Sequence, residues 1–230
     1  MEALSYYSVM SLILALTWIL IFVTKEELRK EMLIISIFSI FLLPIWIATQ
    51  AVAAGSMQAL FSSLSFLDLI FLFSVAGIAS TVFHVFFGKH YQNMPKPKRK
   101  KERDVIASAW ILGTFFGLLL FVWATILLTV AFGLTTSVAL LIAAIILAVY
   151  ITSHRHDLLG DSIWSAIFTA FIVFLASTLG SAFTSTTPVI PFIQTNEFIN
   201  GVSLDLIYWA LALGLVLGPL YEFIRRKLLK

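Results

Sequence analysis

The chain has 230 residues, of which 60% are hydrophobic and only 12% are charged, and its mean hydropathy is +1.02. A soluble domain of this length cannot bury so much apolar surface in one core, so the composition excludes an ordinary soluble protein. The absence of cysteine excludes disulfide bonds, a thiolate nucleophile and a Cys-ligated metal. The net charge of +3 does not indicate nucleic-acid binding, because the basic residues are placed as a signal of membrane topology, and we expect no such partner.

Seven apolar stretches divide the sequence, and each approaches the roughly 20 residues that a helix needs to cross a bilayer. The predicted helices, numbered 1 to 7, span 5–23, 32–53, 66–88, 106–131, 136–152, 162–183 and 204–224. The predicted fold is therefore an all-α integral membrane protein with seven transmembrane helices, for which membrane lipid is the first expected partner.

The fifteen Lys and Arg residues predict the orientation of the chain in the membrane. They fall only between helices 1 and 2, 3 and 4, and 5 and 6, and after helix 7. The gaps near 54–64, 132–136 and 184–202 contain none. Because cytoplasmic loops are enriched in Lys and Arg, we expect the N-terminus outside, the C-terminus inside, and a multi-pass protein of the plasma membrane.

The sequence also contains an internal repeat. Arg29–Ser39 is similar to Arg155–Ser165, at an offset of 126 in the numbering, and Leu67–Gly77 is similar to Leu204–Gly214, at an offset of 137. The second pair shares Leu-Asp-Leu-Ile and the final Gly. We therefore predict two parallel three-helix repeats related by an axis along the membrane normal. The predicted units are repeat 1 (1–88), a basic cytoplasmic linker with helix 4 (89–135), and repeat 2 (136–230).

Asp68 and Asp205 are the main candidates for catalytic residues. They occupy matching positions, near the outer ends of helices 3 and 7. An ionisable residue within a membrane segment is by default a functional hypothesis, here a proton donor. The alternative is helix capping, since Ser65-x-x-Asp68 has the pattern of a capping box and Ser203 precedes Asp205. Both interpretations remain open from the sequence.

The other ionisable residues near helix ends have simpler interpretations. We expect Glu222 to pair with the nearby Arg225, His84 to be a packing residue, and Asp161 to pair with Arg155. The motif His154-x-His156-Asp157 is a weak metal signal without further ligands, so we predict no metal site and no cofactor.

Two glycine motifs and a proline affect helix packing. Gly113-x-x-x-Gly117 in helix 4 and Gly214-x-x-x-Gly218 in helix 7 would allow close approach of a neighbouring helix. Pro219 lies inside helix 7, where it removes one backbone hydrogen bond.

These motifs together resemble the small integral-membrane lycopene cyclase family, in its heterodimeric or fused bacterial and archaeal forms. The resemblance rests on Arg-Lys-Glu-Met-Leu-x-x-Ser (29–36), on the acidic starts of helices 3 and 7, and on Gly218-Pro-Leu-Tyr-Glu222. It implies that a carboxylic acid protonates a linear carotenoid, which cyclises through a carbocation, an isomerisation. In the family a Pro-x-Glu-Glu/Asp motif opens the acidic helices, so the resemblance implies that Asp68 and Asp205 are catalytic.

Aromatic side chains would line the site for such a substrate, because they stabilise a carbocation by cation–π attraction. The candidates are Trp46, Phe71, Tyr208 and Trp209. The chain departs from the family pattern at the motif itself: Ser65 and Val202 stand in place of Pro, and Leu67 and Leu204 in place of the first acid. The resemblance therefore implies a divergent member whose catalysis is altered or lost.

Two other functions stay open. A repeat of three, one and three helices is also the plan of small transporters, with the substrate between the repeats. A structural or accessory membrane protein without chemistry is the third possibility. A retinal-binding pump is set aside, because no helix interior contains a Lys for a Schiff base. A carotenoid or isoprenoid ligand and a homo- or hetero-oligomer are both compatible with the sequence.

Overall fold

The computed structural model describes residues 5–42, 65–88, 91–93, 100–184, 198–199, 202–225 and 227–229. Its helices are α1 (Tyr6–Thr24), α2 (Arg29–Phe38), α3 (Phe66–Phe87), α4 (Lys100–Phe132), α5 (Thr136–His154), α6 (Leu159–Phe183) and α7 (Leu204–Arg225). Over the described residues, all of these except α2 are long and apolar enough to span a membrane. The prediction of an all-α membrane protein is confirmed. The predicted remainder of helix 2, with Trp46, lies outside the described residues.

The helix boundaries match the prediction best where polar caps delimit an apolar run. α1, α3, α5 and α7 begin and end within two residues of the predicted positions. α2 and α6 begin three residues earlier, and α4 begins at Lys100 instead of residue 106. The added residues of α4 are mainly Lys, Glu and Arg, which have high helix propensity and extend a helix beyond its apolar part.

Two short strand pairs complete the described elements. β1 (Tyr91–Asn93) pairs antiparallel with β4 (Lys227–Leu229), and β2 (Phe198–Ile199) pairs with β3 (Val202–Ser203). The first pair joins the basic segment after α3 to the chain just after α7. Part of the segment 89–105, predicted to be a basic cytoplasmic linker, therefore forms a strand and the start of α4.

The beginnings of the two halves share one succession of elements. α1 and α5 each have 19 residues, and each is followed by a single linking residue and a three-residue 3-10 turn that leads into α2 or α6. The linking residues, Lys25 and Arg155, have similar backbone angles. These elements correspond at an offset of 130 in the numbering, whereas the sequence similarity of Arg29–Ser39 suggested 126. At the offset of 130, Glu31 corresponds to Asp161.

α3 and α7 form the centre of the helical bundle. They are the most buried of the candidate spans, and they contact each other. α1 and α2 pack on α3, while α5 and α6 pack on α7. α6 also contacts α1 and α3, so it joins the two halves. The described part of α4 is the least buried span and lies at the periphery, against α5.

Glycine allows α3 and α7 to approach their neighbours closely. A Cβ atom at Gly214 would overlap with the backbone of Ala166 in α6, and one at Gly77 would overlap with the side chains of Ser36 and Trp18. The glycines of α7 therefore serve close helix packing, as the GxxxG motif suggested. Gly117 in α4 is not needed for close packing, because a Cβ atom there would lie 4.0 Å from the Leu220 side chain, an ordinary contact distance.

A hydrogen bond between α6 and α7 compensates for Pro219. Proline has no amide hydrogen, so the carbonyl of Leu215, four residues earlier, loses its helical partner. The hydroxyl of Ser162 donates to that carbonyl at 2.8 Å. In a membrane each backbone group needs a partner, and here a neighbouring helix supplies it.

Candidate functional site: a buried histidine with three carboxylates

Asp68 caps α3, as the capping-box pattern suggested. The backbone amide of Ser65 donates to Asp68 Oδ2 at 2.8 Å, and the Ser65 hydroxyl accepts from the amide of Leu67 at 3.2 Å. The hydroxyl of Tyr7 in α1 donates to Asp68 Oδ1 at 2.7 Å. Both carboxylate oxygens of this buried residue thus accept hydrogen bonds, so the side chain joins the start of α3 to α1.

Asp205 occupies a similar place at the start of α7. It is buried, and it accepts a hydrogen bond from the hydroxyl of Ser137 in the first turn of α5. Tyr7 and Ser137 are the second residues of α1 and α5, so each aspartate is held by the helix that begins its half. Catalysis by Asp68 and Asp205 stays a prediction, and their described contacts are those of residues that fix helix starts.

The described members of the predicted substrate-binding aromatics lie in or beside the core of the bundle. Phe71 is buried in the core, with its ring 5.9 Å from that of Tyr7. Trp209 is buried in the same core, and Tyr208 beside it is half-buried. A role in substrate binding stays a prediction for these three residues and for Trp46.

At the opposite end of the bundle, four ionisable side chains meet. We call Glu31, His84, Asp161 and Glu222 the His84 cluster. Nε2 of His84 lies 3.6 Å from Glu222 Oε1, 3.9 Å from Glu31 Oε1 and 3.9 Å from Asp161 Oδ2. All four side chains are at most 1% exposed. The cluster joins the two halves, since each contributes two of its members.

The helix directions explain why these four residues share one depth. Glu31 and Asp161 lie in the first turns of α2 and α6, where a carboxylate complements the helix dipole. His84 and Glu222 lie near the last turns of α3 and α7. α2 and α6 begin at the membrane face where α3 and α7 end, which is the face that the basic residues predict to be cytoplasmic. The cluster lies about 24 Å along α3 from Asp68.

One interpretation from the sequence is wrong. Asp161 does not pair with Arg155: that guanidinium binds Asp157 with two hydrogen bonds, at 2.7 Å and 2.6 Å. The pairing of Glu222 with Arg225 stays a prediction, because the Arg225 side chain lies outside the described residues; Glu222 itself is fully buried beside His84. His84 is buried, as a packing residue would be, and it also lies within 4.0 Å of three carboxylates.

The carboxylate of Asp161 is only partly satisfied by the described residues. Its Oδ1 accepts from the hydroxyl of Ser165 at 3.1 Å, which fixes the side chain. Its Oδ2 is buried and has no hydrogen-bond partner among the described residues. A buried charge without compensation is costly, so this oxygen is expected to carry a proton or to lie beside a cation.

An aromatic surface lies next to the cluster. Phe83, Phe86, Phe87, Trp164 and Phe168 form a connected set of rings between α3 and α6, with neighbouring centroids 4.4–6.0 Å apart. The Phe83 ring also contacts the imidazole of His84 at 5.3 Å. Phe86 is 60% exposed, so the set reaches the outer surface of the bundle. We call these five residues the aromatic patch.

Three members of the His84 cluster have the spacing of metal ligands. One ligand atom each from Glu31, His84 and Glu222 lies within 4.8 Å of the other two, and no other such group of three occurs among the described residues. The predicted weak motif at His154 does not assemble: its Nδ1 lies 2.9 Å from the Tyr150 carbonyl, and Asp157 is engaged by Arg155.

Glu31 was not among the candidates predicted from the sequence. The offset of 126 aligns Glu31 with Asp157, an exposed residue, and so hides its correspondence to Asp161. The signal that would have found it is the run Lys25-Glu-Glu-Leu, which matches Arg155-His-Asp-Leu at the offset of 130.

Comparison of the chain with protein-family models, with curated proteins and with solved structures gives no significant match. The resemblance to membrane lycopene cyclases therefore rests on the short motifs alone.

Proposed function

We propose that this protein is a membrane isoprenoid cyclase, acting on a carotenoid-like polyene, and that the His84 cluster is its proton-transfer site. The observation that carries the proposal is the convergence of Glu31 and Glu222 on His84. These two acids belong to the two cyclase-like motifs, 29–36 and 218–222, which lie far apart in the sequence.

The reaction requires one group that gives a proton and another that takes one. Asp161 supplies the first, since its Oδ2 has no hydrogen-bond partner among the described residues that would compete for a proton. Transfer of that proton to a terminal double bond forms a carbocation, and a second double bond attacks it to close the ring. Loss of a ring proton to Glu222 or His84 ends the reaction, and proton transfer within the cluster restores Asp161. No atoms are gained or lost, as an isomerisation requires.

The aromatic patch supports the same proposal. A polyene is dissolved in the lipid phase, so its site must be reached from the side of the bundle. The exposed rings of Phe86, Phe87 and Trp164 offer an apolar surface beside the cluster. Aromatic faces also stabilise a developing carbocation, by about 0.5–2 kcal/mol each.

The topology belongs to the proposal as well. We propose two parallel repeats with the N-terminus outside and the C-terminus in the cytoplasm, which puts the cluster near the inner face. The offset of 130 between α1–α2 and α5–α6 supports the repeat. So do Gly77 and Gly214, which lie at an offset of 137 and pack against α2 and α6. A site shared between two such repeats is also what a small transporter would have, and this makes transport the second candidate.

Expression in a lycopene-producing bacterial host tests the proposal, with the carotenoids separated by chromatography. We expect a ringed product from the wild type and its loss, by at least roughly 100-fold, in Asp161→Asn and Glu222→Gln. Asp157→Asn is the matched control, because Asp157 is an exposed neighbour paired with Arg155. It should leave conversion unchanged.

The other outcomes are equally informative. Conversion that survives in Asp161→Asn but is lost in Asp68→Asn or Asp205→Asn would move the proton donor to the outer aspartates. A wild-type protein that neither converts nor retains a polyene during purification, but that moves a solute in proteoliposomes, would replace the cyclase proposal by the transporter.

A further inference from the structure

We infer that Glu31, His84 and Glu222 bind a divalent transition-metal ion in the interior of the bundle, with Asp161 beside it. This inference goes beyond the proposed cyclase and does not depend on it. It also replaces the expectation from the sequence of a chain without a metal site.

The distances fit an ion with modest side-chain adjustment. Bonds of about 2.0–2.2 Å from a metal to nitrogen and oxygen place neighbouring ligand atoms roughly 3–4 Å apart. The Nε2 atom of His84 is 3.6 Å from Glu222 Oε1 and 3.9 Å from Glu31 Oε1, and no two of the three ligand atoms are more than 4.8 Å apart. A movement of a few tenths of an ångström by each carboxylate would suffice.

Asp161 gives an independent reason to expect a cation. Its Oδ2 is fully buried, lies 3.9 Å from His84 Nε2 and has no hydrogen-bond partner among the described residues. Among the described residues no Lys or Arg side chain neutralises it, because its polar neighbours are Ser165, His84 and Glu222. A divalent ion in the cluster would offset the charge of several carboxylates at once, which no single proton can do.

The ligand types indicate the class of ion. One imidazole with carboxylates suits Mn²⁺, Fe²⁺ or Zn²⁺, whereas Ca²⁺ and Mg²⁺ favour ligand sets made of oxygen alone. The absence of cysteine from the sequence removes the thiolate ligands typical of structural zinc. Three protein ligands would leave a coordination position open, and a water molecule held there would be an acidic group close to Asp161.

The test uses the full-length protein in detergent, stripped with EDTA and then titrated with MnCl₂ and, separately, with ZnCl₂. We expect about one equivalent of bound metal by elemental analysis and a higher melting temperature when metal is added. Glu222→Gln and His84→Ala should weaken binding by at least roughly tenfold. Glu27→Gln is the matched control, since Glu27 is an exposed acid four residues before Glu31.

Three results decide the question. Less than about a tenth of an equivalent of metal, with no change in melting temperature, would overturn the inference. Metal binding as strong as that of the wild type in both Glu222→Gln and Glu222→Asp would also overturn it. Each variant is first verified as a single peak in gel filtration. Weaker binding in Glu222→Gln that is partly restored in Glu222→Asp would support it.

Lycopene conversion is measured in parallel and keeps the two proposals separable. Conversion by EDTA-stripped protein that binds no metal would overturn this inference and leave the cyclase intact. Bound metal without conversion would support the metal site and count against the cyclase.

Discussion

Glu31 and Asp161 each place a carboxylate oxygen 3.9 Å from the same nitrogen of His84, although they belong to opposite halves of the chain. Each lies in the first turn of the second helix of its half. With Glu222, three carboxylates surround one imidazole. Buried ionisable groups destabilise a fold unless something neutralises them, so such a cluster indicates a functional role instead of a stabilising one.

The destabilisation by buried ionisable groups predicts how Asp161→Asn changes the stability of the fold. In EDTA the variant should have an unfolding free energy equal to the wild type or up to about 2 kcal/mol higher, since an amide can keep the Ser165 bond without a buried charge. Thermal unfolding in detergent measures the effect. Asp157→Asn, which removes one partner of an exposed ion pair, should change stability by less than about 1 kcal/mol. A loss of about 2 kcal/mol or more in Asp161→Asn would show that the carboxylate stabilises the fold.

Ser162 and Pro219 should behave as a coupled pair. Ser162→Ala removes the only described hydrogen bond to the Leu215 carbonyl and should destabilise the protein by about 0.5–2 kcal/mol. In the background of Pro219→Ala the backbone amide is restored and can bond that carbonyl itself. Ser162→Ala should then cost little. A double-mutant cycle in thermal unfolding measures the coupling, and strictly additive effects would contradict the assignment.

Gly214 should tolerate no side chain. Gly214→Ala places a methyl group against the backbone of Ala166, and a loss of about 1–3 kcal/mol is expected because α7 must move away from α6. Gly160→Ala is the matched control within α6, where an added Cβ meets no atom within 4 Å. It should stabilise the helix by up to about 1 kcal/mol. Similar effects of the two substitutions on melting temperature would argue against the close packing.

The variant Tyr7→Phe tests whether Asp68 serves helix capping or catalysis. Removing the hydroxyl that donates to Asp68 Oδ1 should cost about 1–2 kcal/mol of stability and leave lycopene conversion within roughly twofold. Tyr150→Phe serves as the control, since Tyr150 is 53% exposed at the surface of α5. A strong loss of conversion in Tyr7→Phe, at unchanged stability, would indicate that the Tyr7–Asp68 pair acts in the reaction.

The natural absence of cysteine makes the orientation directly testable. A single cysteine at Thr135, in the exposed turn before α5, should react in intact cells with a membrane-impermeant maleimide. A single cysteine at Glu27, in the exposed turn before α2, should react only after the cells are permeabilised. The reverse pattern would place the His84 cluster at the outer face of the membrane.

The composition and the polar caps predicted the helices well, because apolar length and capping are local properties. Asp68 shows this for a single residue: the capping box seen in the sequence is present in the structure. Glu222 shows the limit. Its sequence neighbours are Arg225 and Arg226, but its position at the centre of the bundle is set by α7 packing on α3 and α6. Such packing is not encoded in local charge.

The register of the repeat was the second source of error. Leu, Ile and Ser recur so often in apolar helices that an offset of 126 produces a convincing similarity between 29–39 and 155–165. The three-residue turns before α2 and α6 fix the offset at 130, which the sequence indicates only by the short match of 25–28 to 155–158. With that register, Glu31 and Asp161 become one feature of the fold instead of two unrelated surface charges.

The His84 cluster draws Glu31 and His84 from the chain before α4, and Asp161 and Glu222 from the chain after it. Neither half carries a complete set of groups, so the site exists only where the halves meet. The two halves therefore act like two subunits that each supply part of one site. If the chain is divided in the turn at Gly133 and the two fragments are produced together, the site should form only when the fragments associate.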